Sequence, residues 1–466
     1  MFDISLPDRS NSPLYLQLYT YFRAQIRSGK LPQGTRLPSV RSLCLQLNIS
    51  KITIETAYQM LLADGYVASK PRSGYYACLP DLETAQAIPS AIPRKTVPSD
   101  RSSISVDFHP ATIDSDAFPI QSWKSAIGEV FARHNDTLHR YGDPRGEYEF
   151  RTVLAQYLEH SRGVVCSPEQ IVVGTGVNHG IQLLARLFDS RSKIAFEDPG
   201  YAPVRATFAA NGFDIVPISI EDEGIRMAEL ERSDARMAYL TPSHQFPTGG
   251  TLPLSSRQRL LQWAYGRNAY LIEDDYDGEF RYADRPIPSL QGLDRQGAVI
   301  YIGTFSKVFT SAIRMNYMVL PAALARKLNE VEYALNPPSR IDQLAMKVFI
   351  EKGFWYRHIR RMRNLYRKKR LLFVKLIQEY LGDSVQIRGQ NAGLHLEITV
   401  KCVCSKKQLI DLAAAEGVRV YGMEQMRMRR KPEDERKIYL GYGGVKIADM
   451  ERGIRLLKQA WTDVLK

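Results

Sequence analysis

Short apolar runs alternate with helix-length segments between Ile171 and Gly303, and this alternation constrains the fold of the 466-residue chain more than any other feature. The pattern is typical of the α/β class, in which helices cover both faces of a mainly parallel sheet. Ligands of such sheets bind at the carboxyl ends of the strands. The predicted strands are 171–173, 194–197, 215–218, 238–241, 270–274 and 299–303.

Three groups with complementary chemistry follow these strands. Lys307 comes shortly after the last run, Asp274 ends the run before it, and Gly174-Thr-Gly176 separates the first run from a helix-length segment. Each has an ordinary structural explanation when taken alone. Together they offer an amine, a carboxylate and a helix start that can bind an anion, which are the groups that pyridoxal phosphate requires. Further candidate phosphate contacts are Thr304, Ser306 and Arg314.

The chain from about Val106 to its C-terminus resembles the fold-type I aminotransferases. The resemblance implies a large domain built on a mainly parallel sheet and a smaller C-terminal α+β subdomain. It rests on ordered motifs that are together far more specific than any one of them. The motifs are Tyr141-Gly-Asp-Pro-Arg-Gly146, Glu197-Asp-Pro-Gly-Tyr201, Thr241-Pro-Ser-His-Gln-Phe-Pro-Thr-Gly249, Ile272-Glu-Asp-Asp-Tyr276 and Thr304-Phe-Ser-Lys307.

This resemblance implies a role for each matching residue. Lys307 would form a Schiff base with pyridoxal 5'-phosphate, Asp274 would pair with the ring nitrogen, and Tyr276 would face the phenolic oxygen. Tyr201 would stack on the ring. Tyr141 would reach the phosphate in the partner subunit, because members of the family form homodimers with shared active sites. The residues expected around the phosphate are Gly176, Val177, Thr304, Ser306 and Arg314.

The first 80 residues have a different organisation. Apolar residues keep helical spacing from Pro13 to Ser28, and two further helices are predicted, one opening near Leu37 and one over 51–63. A tight turn joins the last two helices, and two short β-like runs follow. This order is that of a winged helix-turn-helix, although a helical cap domain would share it. Nine Lys and Arg against four Asp and Glu over 1–80 favour DNA as the partner.

The N-terminal region resembles the GntR winged-helix regulators. The resemblance rests on Leu37-Pro-Ser-Val-Arg41, Ile49-Ser-Lys-Ile-Thr53, Leu61-Leu-Ala-Asp-Gly-Tyr66 and Ser73-Gly74. It implies that this region binds double-stranded operator DNA. The implied DNA contacts are Arg41, Ser50, Lys51, Thr53 and Thr56, with Lys70, Arg72 and Gly74 at the wing.

A segment rich in Pro, Ala and Ser separates the two regions. We expect a DNA-binding domain over 1–78, an extended linker over 79–103 and a cofactor-binding and dimerisation domain over 104–466. The whole chain then resembles the MocR subfamily of GntR regulators. That resemblance implies a dimer that senses pyridoxal phosphate, or its adduct with an amino compound, and controls nearby genes of vitamin B6 or amino-compound metabolism.

Composition sets further limits. The formal charge of +13 favours polyanionic partners. No signal peptide or run of membrane length is recognisable, so we expect a cytoplasmic protein without a membrane partner. Five scattered cysteines fit a reducing compartment, and Cys402-Val-Cys404 has no second pair that would complete a zinc site, so no metal is expected.

Two departures from the aminotransferase pattern bear on activity. Phe246 stands where those enzymes carry an asparagine that bonds the phenolic oxygen, and Tyr439 stands where many carry an arginine for the substrate carboxylate. Arg205, Arg419 or one of Arg427, Arg429 and Arg430 is a candidate substitute. These departures favour a sensor with weak or no turnover. The alternative is a working aminotransferase with a DNA-binding appendage.

A basic run over 357–370 allows two interpretations. Its apolar members keep helical spacing, which predicts an amphipathic helix with one packed face and one solvated face. The alternative is a second DNA contact. Measuring DNA affinity after charge reversal of Arg360 and Arg367 would distinguish the two interpretations.

Overall fold

The computed structural model describes residues 4, 12–71, 73–79, 104–221, 224–282, 288–429 and 436–465. The chain forms two compact units, Met1–Pro98 and Ser99–Lys466. From Pro80 onward, the predicted linker lies outside the described residues, as does the predicted wing residue Arg72.

The N-terminal unit consists of three helices and a hairpin, as predicted. The side chains of Ser39 and Ser50 cap the second and third helices by accepting hydrogen bonds from Ser42 N and Thr53 N. Asn48 takes a left-handed conformation in the turn between these helices, which lets the chain reverse within three residues. The elements are α1 (Leu14–Arg27), α2 (Val40–Leu47), α3 (Lys51–Ala63), β1 (Val67–Lys70) and β2 (Gly74–Ala77), and the strands pair antiparallel.

One apolar cluster holds this unit together. Each helix contributes its periodic apolar face, and Tyr58 packs edge-to-face against Phe22 and Tyr75. The fully buried members are Leu18, Phe22, Ile26, Leu43, Ile54, Ala57, Tyr58, Leu61 and Ala77. Burial of these side chains leaves the start of α3 and the hairpin tip at the surface.

The large unit contains the α/β domain that the sequence predicts. All six predicted strands are present. The elements up to the end of the main sheet are β3 (Val106–Asp107), α4 (Ile120–His134), α5 (Tyr148–Arg162), β4 (Ile171–Gly174), α6 (Val177–Leu187), β5 (Lys193–Asp198), α7 (Ala202–Ala210), β6 (Asp214–Glu221), β7 (Gly224–Ile225), α8 (Met227–Arg232), β8 (Met237–Leu240), α9 (Leu254–Arg267), β9 (Tyr270–Asp275), α10 (Leu290–Leu293), β10 (Val299–Thr304) and β11 (Asn316–Val319).

The main sheet has the strand order β4-β11-β10-β9-β8-β5-β6-β7. Strands β6, β5, β8, β9 and β10 run parallel to one another, whereas β7 is antiparallel to β6 and β11 is antiparallel to both β10 and β4. Alternate residues enter different cores: Ile171 and Val173 pack with α4 and α5, while Val172 packs with α6. Helices therefore cover both faces, as the continuous apolar runs indicate.

The remaining elements form the smaller α+β subdomain and its connection. The long helix α13 packs its first half against the main sheet and its second half against a three-stranded antiparallel sheet. The elements are α11 (Ala322–Lys327), α12 (Arg340–Glu351), α13 (Phe354–Leu381), β12 (Val385–Arg388), β13 (His395–Val400), α14 (Lys406–Ala415), β14 (Val418–Arg419), β15 (Lys437–Gly441) and α15 (Ile447–Trp461).

The basic run lies within α13 and is amphipathic, as predicted. Ile359, Met362 and Tyr366 are buried on one side. On the other side, Arg360, Arg363 and Arg367 line a cavity of about 910 Å³ together with Arg281. Among the helices that the structure describes, none combines the length and apolar character needed to span a membrane.

Candidate functional site

A cavity of about 300 Å³ opens where β9 and β10 end, at the carboxyl edge of the parallel strands. Nine of the ten predicted cofactor residues line it, which brings together segments that are far apart in sequence. The tenth, Tyr141, lies fully exposed and away from this cavity. The lining residues are Ala111, Gly176, Val177, Asn178, Tyr201, Thr241, Phe246, Asp274, Tyr276, Ile302, Thr304, Ser306, Lys307, Ser311 and Arg314.

Lys307 is half-buried in this cavity. Its Nζ donates a hydrogen bond to the carbonyl oxygen of Ala111 at 3.0 Å. Burial lowers the pKa of Lys307 to about 8, although Asp277 opposes the effect. A sizeable fraction of the amine is therefore neutral near physiological pH, and the neutral amine is the form that attacks an aldehyde.

Asp274 is buried at the end of β9. Its carboxylate accepts a hydrogen bond from the Tyr239 hydroxyl, and no ion pair to it is found among the described side chains. Burial, together with repulsion from Asp275 and Asp277, raises the pKa of Asp274 to about 7. A buried carboxylate without a cation fits a ligand that brings its own positive charge, such as a protonated pyridine ring.

The start of α6 provides an anion-binding corner. Gly176 caps the helix at φ 114°, a conformation that favours glycine, and a Cβ there would lie 2.6 Å from the Arg314 guanidinium. The first-turn amides of a helix have no acceptor within the helix. These amides, the guanidinium and the hydroxyls of Thr304 and Ser306 form a cradle suited to a phosphate.

Tyr276 also lines the cavity. Its Oη lies 2.8 Å from His244 Nδ1, and the same nitrogen lies 2.8 Å from Asp277 Oδ2. Phe246 packs edge-to-face against both Tyr276 and Tyr201, at centroid distances of 6.0 and 5.6 Å. Phe246 therefore occupies the position expected from the sequence, but it offers the cavity no hydrogen-bond donor.

Neither tentative carboxylate-binding arginine lines the cavity. The Arg205 guanidinium donates to the carbonyl oxygens of Gln425 and Met426, and Arg419 lies 3.9 Å from Asp107. These contacts hold both guanidinium groups outside the cavity. Arg314 is the only arginine among the described lining residues, and it stands at the phosphate cradle.

Several lining residues were not predicted from the sequence. Asn178 and Ser311 line the cavity, and Ala111 supplies the carbonyl oxygen that accepts a hydrogen bond from Lys307. The first two are close in sequence to predicted residues, so extending the motifs by a few positions would have found them. Ala111 lies 196 positions from Lys307, and no sequence signal links the two.

The candidate DNA-binding residues lie at the start of α2, at the start of α3 and at the hairpin. Arg41, Ser50, Lys51 and Lys70 are exposed, while Thr53, Thr56 and Gly74 are half-buried. Some of their polar groups already have partners: Ser50 caps α3, the Thr56 hydroxyl donates to the Ile52 carbonyl, and Lys51 lies 3.4 Å from Glu55. Arg41 and Lys70 have no ion pair in the described part of the unit. Ile52, which sequence reasoning passed over, is 74% exposed beside them.

Comparison with known proteins assigns a family to each of the two units. Residues 14–76 match the family described as bacterial regulatory proteins, gntR family, and residues 111–436 match aminotransferase class I and II. The fold is similar to that of kynurenine aminotransferase from Pyrococcus horikoshii, with a TM-score of 0.71 and 22% identity over 78% of this chain and 92% of the other.

Three relatives match along nearly the whole chain. An uncharacterized HTH-type transcriptional regulator, YdeL of Bacillus subtilis, is 41% identical over 96% of this chain and 97% of its own length. The probable rhizopine catabolism regulatory protein MocR of Rhizobium meliloti is 33% identical, over 96% and 94%. The pyridoxine biosynthesis regulator PdxR of Corynebacterium glutamicum is 31% identical, over 90% and 89%. With these matches over both units, the chain belongs to the MocR subfamily of HTH-type transcriptional regulators, in which a GntR domain precedes an aminotransferase class I and II domain.

Proposed function

We propose that this regulator binds pyridoxal 5'-phosphate in the large unit and that the cofactor, alone or joined to an amino compound, changes its affinity for operator DNA. The observation that carries the proposal is the single cavity shared by Lys307, Asp274 and the cradle at Gly176 and Arg314. When bound, the cofactor supplies an aldehyde that reacts with amines and a ring that withdraws electrons.

The chain's own residues would hold the cofactor in one orientation. Arg314 and the first-turn amides of α6 would bind the phosphate at one end. Asp274 would pair with the ring nitrogen, which offsets the cost of keeping that carboxylate buried. Tyr201 would cover one face of the ring, and Tyr276 would reach its phenolic oxygen. Lys307 would then meet the aldehyde in its neutral form.

The N-terminal unit would bind DNA through the starts of α2 and α3 and through the hairpin. Lys51, Arg41 and Lys70 would contact phosphates or base edges in the major groove and at the wing. Ile52 would meet a thymine methyl group, because an exposed apolar side chain beside such contacts suits that partner. Ser50 and Thr56 would contribute by stabilising α3, since their hydroxyls already form hydrogen bonds within it.

We further propose a homodimer that acts in the cytoplasm, with domains over 1–78, 79–103 and 104–466. The exposed Tyr141 supports a shared site, because an aromatic side chain left in solvent on one subunit is free to enter the cavity of another. Two DNA-binding units in one dimer would engage two half-sites.

Catalytic turnover would be weak or absent. No arginine other than Arg314 lines the described part of the cavity, so the carboxylate of an amino acid substrate lacks a bidentate partner. Because Asp274, Tyr276 and the phosphate cradle line the same cavity as Lys307, an aminotransferase is the second candidate. Borohydride reduction followed by peptide mass spectrometry should find the cofactor attached at Lys307. A transamination rate of about 1 per second or more would favour the enzyme instead.

A further inference from the structure

His244 lies behind the cofactor cavity and contacts the lining residue Tyr276. The side chain is 1% exposed, and its Nδ1 lies 2.8 Å from Tyr276 Oη and 2.8 Å from Asp277 Oδ2. Its Nε2 is buried without a hydrogen-bond partner in the described part of the chain. One ring nitrogen therefore lies within hydrogen-bond distance of two oxygens, and this restricts where the protons can lie.

An ionised Asp277 can only accept a hydrogen bond, so Nδ1 of His244 carries the hydrogen that lies between them. A protonated Nδ1 has no free lone pair. The Tyr276 hydroxyl therefore cannot donate to this nitrogen, although the two atoms lie 2.8 Å apart, and its proton must point elsewhere. Because Tyr276 lines the cavity, its proton is directed into the cavity.

Close packing keeps the imidazole in this position. Gly393, at φ 74°, lies so near that a Cβ there would be 1.8 Å from His244 Cε1. On another side, the His395 ring lies 5.3 Å away and bonds the Pro247 carbonyl oxygen at 3.0 Å. Burial lowers the pKa of His395 to about 3, so this neighbour is neutral. Gly393 and His395 therefore leave the imidazole little space to tilt or shift.

The surroundings also keep Tyr276 protonated. Burial, followed by repulsion from nearby carboxylates, raises the pKa of its hydroxyl well above the ordinary value. The titratable groups that face Tyr276 and its two histidine neighbours are Glu197, Asp274, Asp275, Asp277 and Lys307.

We propose that His244, held by Asp277, is a positioning residue that aims the Tyr276 hydroxyl at the phenolic oxygen of the cofactor. His244 and Asp277 compensate for the hydrogen-bond donor that Phe246 cannot provide, because they make the Tyr276 hydroxyl point in one direction. The inference rests on the proposed function, since it requires the cofactor to occupy the cavity.

The test is the pH midpoint of the visible absorption change in the cofactor-loaded full-length protein. A donor to the phenolic oxygen stabilises its negative charge and so lowers this midpoint. Tyr276→Phe should raise the midpoint by about one unit, the size expected for one hydrogen bond to a charged group. His244→Phe, which keeps a ring of similar size, should raise it by a similar amount. The double variant should shift no further than Tyr276→Phe alone, because His244 acts through Tyr276.

The control is His358→Asn, since His358 is another buried histidine and does not line the cavity. If His244→Phe fails to fold, His244→Asn gives the same readout, because its amide can still donate to Asp277. A midpoint equal to that of the wild type in the His244 variants, or shifts that add in the double variant, would overturn the inference. A wild-type protein without a lysine-linked cofactor band would instead overturn the proposed function.

Discussion

Replacing Asp274 with asparagine should have opposite effects on the cofactor-free and cofactor-loaded protein. Asp274 is buried and lacks an ion-pair partner among the described residues. An asparagine of the same shape can still accept the hydrogen bond from Tyr239, so the substitution removes the charge and little else. The cofactor-free protein should therefore become more stable at neutral pH, while its affinity for the cofactor should fall.

The magnitude follows from the pKa of Asp274, which rises from 3.8 to about 7. Each unit corresponds to about 1.36 kcal/mol, so ionised Asp274 destabilises the cofactor-free fold by up to about 4 kcal/mol. Below its unfolded-state pKa the carboxyl is protonated in both states and does not change the free energy of unfolding. As pH rises from that value to the folded-state pKa, the free energy of unfolding falls. The variant should thus match the wild type near pH 4 and exceed it fully near pH 8.

Thermal unfolding of the cofactor-free proteins at several pH values measures this difference, and absorbance titration measures cofactor affinity. The lost charged contact should weaken cofactor binding roughly 10- to 100-fold. Asp275→Asn is the matched control: Arg162, 2.5 Å away, holds the pKa of Asp275 below its usual range against the effect of burial. Removing that carboxylate should destabilise the protein. An Asp274→Asn variant that is less stable than the wild type at pH 8 would refute the reasoning.

Three further outcomes test other parts of the structure. Lys307→Ala should abolish covalent attachment of the cofactor, and a retained visible band of the lysine-linked form would contradict its assignment. Lys51→Ala should weaken operator binding by about 1–3 kcal/mol if it contacts a base edge, whereas the exposed Lys30, assigned no contact, should tolerate alanine in the same anisotropy assay. Reversing the charge of Arg360 and Arg367 should leave DNA affinity unchanged if that helix face is only solvated, and a large loss would favour a second DNA contact.

Much of the fold was predictable because its signals are local. Short continuous apolar runs located all six predicted strands, and apolar residues at helical spacing located the three N-terminal helices and α13. Strand β11 was missed, because Asn316–Val319 is short and inserts antiparallel between two strands distant in sequence. Pairing of that kind depends on the completed sheet rather than on its own residues.

The candidate site was predictable where function depends on a motif. Lys307, Asp274 and Gly176 follow strands that end at the same edge of the sheet, so order alone placed them together. The structure does not support Arg205 as a carboxylate ligand, because its partners at 425–426 come from another part of the fold. The role inferred for His244 depends on a contact with Tyr276 across 32 positions, which no spacing rule predicts.

The most direct test of the central claim is fluorescence anisotropy of the full-length protein with DNA from upstream of its own gene. Cofactor-free protein, protein loaded with pyridoxal phosphate, and loaded protein with a mixture of amino acids would be compared across a salt series. We expect tight binding that weakens steeply with salt and an affinity that differs between the cofactor-free and at least one loaded form. Equal affinity in all three forms, or no preference over a scrambled duplex, would contradict the claim.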